Sequence, residues 1–568
     1  MSTEENKDWW HHSVVYQIYP RSFFDSNGDG IGDINGITMK LDYIKKLGVD
    51  IILLSAINDS PNYDNGYDTR DYYKITSEFG TMNDFDLMLK EMKNRQLKLI
   101  MDLSIHHTSD EHPWFIEAKK GKDNPYRNFY HWAPSHDGKA PNQWGACFGG
   151  PAWTYDIITS EFYLHTFTPK QPDLNWDNPM VRDEMYKIMH WWLGKGVDGF
   201  RLNVINFLSK TPGYPEGKCK NNKSQYTDGS AHFLNGPRVH EFVQEMNEKV
   251  FQHYNIITIG ECPSSHLHDA ELFTSPKQKE LNMIFTFEHL ALDGGKWTPK
   301  LLDLRCLKHH FTSWQNGLYG NGWNSLYWNN HDQPRIVSRW GNDTALYRDL
   351  SAKMLASCLH FLCGTPFIYQ GEEIGMTNVR FPSLADYRDI ETTNFHSDAS
   401  QSGLTLEEIM AAIYAKSRDN ARTPMQWSGD LPHGGFTLGA VDVLPWIGVN
   451  SNYTDINVEQ ALNDSQSIFY YYQKLIQLRR TMPIIVNGKY AILHDENTHI
   501  FMYKRYNDDN QQEIIVACNF SQQPIIIDDI ELSEKIKNRK QILISNYEEH
   551  KEFDWLHFRP YETWAIEI

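Results

Sequence analysis

The chain has 568 residues, 40% of them hydrophobic and 22% charged, and carries a formal net charge of −19. That length suits two or three units, one of them large, with enough apolar residues for a sizeable core. The acidic balance has no compensating Lys or Arg run, which argues against a nucleic-acid partner, and no apolar run is long enough to span a bilayer. The first residues, Met1 to Asp8, are polar and acidic and lack the apolar centre of a signal peptide. Seven scattered cysteines, an odd number with no metal-ligand spacing, suit a reducing cytoplasm.

In chain order, short apolar runs read as strands: Val14 to Tyr19, Val49 to Leu54, Leu97 to Leu103, Val197 to Asn203, Ile256 to Glu261, Met283 to Phe287, Ser325 to Asn329 and Thr365 to Tyr369. Helix-spaced segments lie between them, such as the ones starting at Met39 and Met82. Eight mostly non-alternating strands joined by helices predict a parallel (β/α)8 TIM barrel. A Trp-, Pro- and Gly-rich stretch after the third strand is too long for an ordinary connection and reads as an inserted small domain. After about Pro483 helical spacing stops, and runs such as His499 to Tyr503 and Glu513 to Cys518 predict a C-terminal antiparallel β-sandwich. The expected division is barrel over 1–108 and 179–484, insert over 109–178, and β-domain over 485–568.

Polar side chains gather where barrel strands end, the place where barrel chemistry sits. Asn203, Glu261 and Asp332 close three such strands, and a carboxyl in apolar surroundings there has the raised affinity for a proton that a general acid needs. Asp64 and Tyr67 share a loop after the second strand, pairing a carboxylate for sugar hydroxyls with a ring for a sugar face. The cluster Asp102, His106, His107 and His112 lacks the helical spacing of a zinc motif; it reads instead as a histidine bonding a sugar hydroxyl, positioned by Asp102. In the loop Asp25 to Asp33, Asp25, Asn27, Asp29 and Asp33 with the Ile31 carbonyl are oxygen ligands spaced for Ca²⁺, without the distal Glu of an EF-hand.

Longer strings then carry a resemblance. Tyr16 to Phe23, Gln171 to Trp176, Trp328 to Arg335, Tyr369 to Met376 and Ser417 to Trp427 resemble the α-amylase superfamily of glycoside hydrolases, in its oligo-1,6-glucosidase and dextran-glucosidase branch. The likeness runs from Trp9 to the C-terminus. It implies retaining, exo-acting hydrolysis of α-1,6-glucosides in isomalto-oligosaccharides, by a monomer that takes a small oligosaccharide. By residue matching it implies position 203 as nucleophile, Glu261 as acid/base and Asp332 as transition-state stabiliser. Asp64, Tyr67, His107, Arg201, His331 and Arg418 would hold the terminal glucose, and Phe148, Phe167, Gln171 and Phe287 would line the wall. Arg201 would keep the nucleophile ionised, and Val204 resembles the members that prefer α-1,6 linkages. The same matching implies structural Ca²⁺ at the Asp25 loop. Sucrose, maltose or trehalose 6-phosphate are the alternative substrates.

The departure is Asn203, an amide where the family has a carboxylate. Leu53, Ala56 and Asn58 replace Trp, Pro and Tyr around the second strand, His106 replaces an Asn, and Cys262 follows the acid/base. Two explanations fit: a nucleophile removed by substitution from an ordinary glucosidase, or a natural pseudoenzyme that keeps the sugar pocket.

Overall fold

Each of the eight apolar runs forms a strand: β1 (Val15–Ile18), β2 (Ile51–Leu54), β3 (Lys98–Ser104), β4 (Gly199–Asn203), β5 (Ile257–Glu261), β6 (Met283–Phe285), β7 (Ser325–Leu326) and β8 (Thr365–Tyr369). The structure is a computed structural model and describes residues 8–219, 225–508, 512–547 and 555–568; Met1 to Lys7, which bear on the signal-peptide expectation, lie outside the described residues. The strands pair in parallel in the order β6-β5-β4-β3-β2-β1-β8-β7. A parallel bridge between Ile284 and Asn324 joins the two ends, and Ser325 Oγ donates to the Ile284 carbonyl at 2.6 Å. The sheet is therefore closed into a barrel.

Alternation along each strand divides its side chains between two layers. Val15, Ile51, Leu53, Ile100, Ile257, Ile259, Met283 and Phe367 fill the barrel interior, while Tyr16, Ile52, Leu54, Leu99, Met101, Phe200 and Leu202 pack outward in the larger core. The same period carries Asp102, Arg201, Asn203 and Glu261 inward above that apolar plug. Helices complete the outer layer with well-made ends. Met82–Asn94 opens on a Thr81 capping box, and Pro179–Lys195 starts at an Asn178 cap and stops at Gly196, whose φ of 103° suits only glycine without strain.

Between β3 and β4 a three-stranded antiparallel sheet forms, with Glu161–Leu164 between Trp132–Pro134 and Trp153–Asp156. A bridge between His107 and Asp173 ties this insert to the end of β3. The C-terminal part holds a five-stranded antiparallel sheet, ordered Lys489–Leu493, Ile500–Asn507, Gln512–Asn519, Thr563–Glu567 and Gln541–Ser545. Its second layer is slight, a two-residue ladder pairing Ile525–Ile526 with His557–Phe558. Helices do not stop at Pro483: Pro483–Asn487 and Ile530–Lys537 are both helical. The second is short but capped, with Asp529 accepting from the Leu532 N–H, and Leu532 and Ile536 anchor it to the sheet's core. Among the described residues no helix is long and apolar enough to cross a membrane, and none of the seven cysteines is in a disulfide.

Candidate active site

Register decides which groups meet at the mouth of the barrel. β3 and β4 align Asp102 with Arg201 and Ser104 with Asn203, and β5 ends one residue beyond its Gly260–Leu202 pairing with β4, at Glu261. Arg201 Nη1 accordingly donates to both Asp102 oxygens at 2.8 and 2.9 Å. Its Nη2 lies 2.6 Å from Glu261 Oε1. Glu261 Oε2 accepts from Asn203 Nδ2 at 2.8 Å and from the Val204 N–H at 3.1 Å. Chain direction changes just there, since Val204 sits in the left-handed region at φ 42°, ψ 48°.

Asp332 lies on the loop after β7. Arg422 Nη2 is 2.6 Å and Arg418 Nη1 3.4 Å from its Oδ1, and His331 Nε2 is 3.2 Å from its Oδ2. Arg418 also reaches Asp389 at 2.5 Å and Asp64 at 3.4 Å. Tyr67 donates its hydroxyl to Asp102 at 2.7 Å and lies 2.7 Å from His331 Nε2. Gln171 Nε2 contacts Asp64 Oδ2 and His107 Nε2, each at 3.1 Å.

These groups enclose a cavity of about 300 Å³, at the small end for ligand pockets. Asp64, Tyr67, His107, Phe148, Phe167, Asn203, Glu261, Phe287, Asp332 and Arg418 line it. Arg201, His331 and Gln171 are buried behind that wall, bonded to residues that line it. The Arg418 guanidinium lies 4.7 Å from the centre of the Phe148 ring, giving the buried inner end a charge and an aromatic face. A roomier hollow of about 910 Å³ beside helix Leu304–Leu318 contains none of the expected site residues.

The charges differ sharply in proton affinity. Burial pushes Glu261 up to about 7, opposed by Arg201 and reinforced by Asp332 and Asp102. Burial would raise Asp332 too, but His331, Arg418 and Arg422 outweigh it and hold that carboxyl well below the usual range. Burial raises Asp64 to about 6 against Arg418 and Arg422, and lowers His331 and His107 each to about 3, leaving both rings neutral at pH 7. One buried acid is thus ready to carry a proton while its neighbour stays ionised.

Several expectations need correction. Asp102 does not position a histidine: its partners are Arg201 and Tyr67, because the register sends it into the barrel and the histidines lie beyond the strand end. Arg201 grips Glu261 and Asp102 rather than position 203. His106 is buried under the site, 3.1 Å from Asp173, with Lys210 2.9 Å from the same ring nitrogen and His107 against its other one. Leu53 belongs to the barrel interior, and Asn58 donates to the Tyr72 carbonyl at 2.9 Å; neither touches the cavity. Sequence reading missed Cys147, Phe207, Pro263, Lys296, Gln333 and Glu391 in the wall, and Asp389 and Arg422 as supports. Arg422 lies inside the quoted Ser417 to Trp427 string; Lys296 and Glu391, paired at 3.2 Å, lie in segments with no motif.

The Asp25 loop is held by its own N–H groups and by the Thr437 hydroxyl, which donates to Asp25 Oδ2 at 2.5 Å. Asp25 accepts from the N–H groups of Asn27, Gly28 and Gly30 at 3.1, 2.7 and 2.7 Å, and Asp33 accepts from Ser26 and caps the helix starting at Ile34. Asn27 and Asp29 are exposed. Among the described residues no group of three or more His, Cys, Asp or Glu converges to hold a metal ion.

Residues 17–488 match the α-amylase catalytic-domain family, and the chain belongs to that family of glycoside hydrolases. Within it the likeness is to the α-glucosidase type. The chain is 55% identical to an oligo-1,6-glucosidase of Halalkalibacterium halodurans, over 99% of each sequence. Among solved structures it is similar to the trehalose-6-phosphate hydrolase of Bacillus licheniformis, at 45% identity with a TM-score of 0.90 over 98% of this chain and 99% of that one. An isomaltulose synthase from Klebsiella is 39% identical, with a TM-score of 0.92 over 98% and 99%.

Proposed function

We propose that the chain carries an exo-acting, retaining α-glucosidase site for the non-reducing terminal α-1,6 bond of isomalto-oligosaccharides, with turnover severely impaired by Asn203. The observation that carries this reading is the buried inner end of the cavity, where Asp64 and Asp332 both pair with Arg418. A pocket of about 300 Å³ ending on these charges suits one terminal sugar. The oligo-1,6-glucosidase relative and Val204 in the wall support the linkage. Trehalose 6-phosphate is the runner-up substrate, favoured by the trehalose-6-phosphate hydrolase among the similar structures.

In this reading Glu261, neutral below about pH 7, gives its proton to the leaving glycosidic oxygen. Asp332, held ionised, bonds sugar hydroxyls as positive charge grows on the ring. Position 203 must supply the attacking carboxylate, and in retaining enzymes the two carboxyls stand about 5–5.5 Å apart. Here the amide closes that gap to a 2.8 Å hydrogen bond, which two carboxylates would not make. A neutral amide neither attacks well nor offsets the charge of the transition state. Losing a group of this kind costs about 10⁴–10⁶ in rate.

The second reading is a sugar-binding protein without turnover, favoured by a pocket that is complete apart from position 203. Assays of the chain and its Asn203→Asp variant on a chromogenic α-glucoside separate the two. Activity confined to the variant supports the glucosidase site; an inert variant that still binds isomaltose supports the binding protein. Structural Ca²⁺ at the Asp25 loop is a further proposal, resting on the oxygen spacing of Asp25, Asn27, Asp29, Ile31 and Asp33. Asn27 and Asp29 are its exposed members, and the metal would stiffen the loop. A reducing cytoplasm and action as a monomer complete the proposal.

A further inference from the structure

Glu261 Oε2 accepts at once from Asn203 Nδ2, at 2.8 Å, and from the Val204 backbone N–H, at 3.1 Å. Those are the two nitrogens that change places when an asparagine side chain cyclises onto the next peptide nitrogen. The Val204 N–H is bonded to the Glu261 side chain rather than to the backbone of a neighbouring strand, and the chain turns into the left-handed region at the same residue. Asn203 is 8% exposed and lines the cavity, so water reaches its side-chain carbon. Resting on the reading of position 203 as the attacking group, we propose that Asn203 is a latent carboxylate and that Glu261 catalyses its conversion from amide to acid.

Ionised Glu261 takes the proton from the Val204 N–H, and that nitrogen bonds to Asn203 Cγ. The Cγ–Nδ2 bond then breaks, and Nδ2 leaves as ammonia with the proton that Glu261 Oε2 carried. The product is a five-membered cyclic imide. Water adds to its Cγ carbonyl, the Cγ–N bond breaks, the Val204 nitrogen regains its proton, and a side-chain carboxylate remains at 203. The net change is amide plus water to acid plus ammonia, with no oxidant, reductant or cofactor. Opening at the other carbonyl gives an isoaspartyl link, which displaces the carboxylate and yields no nucleophile. Glu261 is neutral in half the molecules near pH 7, so conversion accelerates as pH rises through that value.

The test follows the freshly purified full chain at alkaline pH over days, mapping residue 203 by peptide mass, hydroxylamine cleavage at the 203–204 bond, and α-glucosidase activity. Asn65, followed by Gly66 in a turn where both residues have positive φ and with its Oδ1 accepting from Arg21 Nη1 at 2.9 Å, is the internal control for deamidation away from Glu261. The expected result is amide-to-acid mass gain at 203, a hydroxylamine-sensitive bond there, and activity rising in step. Glu261→Gln is expected to slow the mass gain by about a hundredfold, at the modest end of general acid–base effects. The pH dependence at 203 relative to that at Asn65 in the unaltered chain gives the same information without a variant, since hydroxide speeds unassisted cyclisation as well. Residue 203 unchanged while Asn65 converts, or a gain indifferent to Glu261→Gln and to pH near 7, overturns the proposal. An Asn203→Asp variant active beside an unconverted chain sinks only this inference. Mass gain beside an inert variant sinks the glucosidase reading and leaves the conversion standing.

Discussion

The cavity has two ends that differ in how their charges are met. At the inner end every charge has an opposite: Asp64, Asp332 and Asp389 share Arg418, and Arg422 supports Asp332 and Asp389. At the other end Arg201 holds Glu261, and the amide of Asn203 donates to the same carboxylate. In the proposed reading, recognition draws on the first set and bond breaking, at the reacting end, on the second. A neutral side chain of nearly carboxylate shape at 203 would then remove chemistry without dismantling the pocket.

The largest effect that tests this division is at the reacting end. Asn203→Asp is expected to raise α-glucoside turnover by about 10⁴–10⁶-fold, read as initial rates on a chromogenic substrate with the peptide at 203 checked by mass. A rise under tenfold would put the impairment elsewhere. Next comes Glu261. Below about pH 4.5 it is neutral folded and unfolded; between there and about 7 the unfolded chain loses the proton that the folded chain keeps, so stability falls as pH rises and the loss is complete above 7. Glu261→Gln removes that loss, worth on the order of 3 kcal/mol. In denaturant titrations the variant should match the parent at acid pH and exceed it above 7; a constant difference would show that the carboxyl is not buried neutral.

At the inner end, Asp64→Asn should weaken isomaltose binding by about 10–100-fold, the worth of a charge-assisted hydrogen bond, with the melting profile little changed. Calorimetry giving equal affinities would remove Asp64 from recognition. The smallest readout concerns the distant Asp25 loop. If it holds Ca²⁺ at a hundred times the dissociation constant, chelator costs about 2.7 kcal/mol, a melting shift of a few degrees or less for a chain this long. An unchanged melt on chelation and on adding back Ca²⁺ would leave the loop as a self-bonded turn.

Much of this contrast is legible in the residues. Strands buried on both faces have continuous apolar runs, so β1 to β8 stand out, and strand ends expose Asn203 and Glu261. What escapes depends on segments that meet only in three dimensions. Lys296 and Glu391 form an ion pair across nearly a hundred residues with no periodicity to mark either. Asp102 looked like a histidine's partner because the histidines follow it in sequence, whereas register gives it to Arg201. The Ile530–Lys537 helix carries only Leu532 and Ile536 as buried residues, too few for a visible helical period among β-rich neighbours.

The central claim is an intact pocket with disabled chemistry, and titrating isomaltose calorimetrically into the freshly purified chain and its Asn203→Asp variant, while following glucose release, tests it most directly. The account predicts saturable binding to the chain with no prompt glucose, and hydrolysis by the variant at a similar apparent affinity. Prompt hydrolysis by a chain whose residue 203 is verified as the amide, or failure of both proteins to bind, would contradict it.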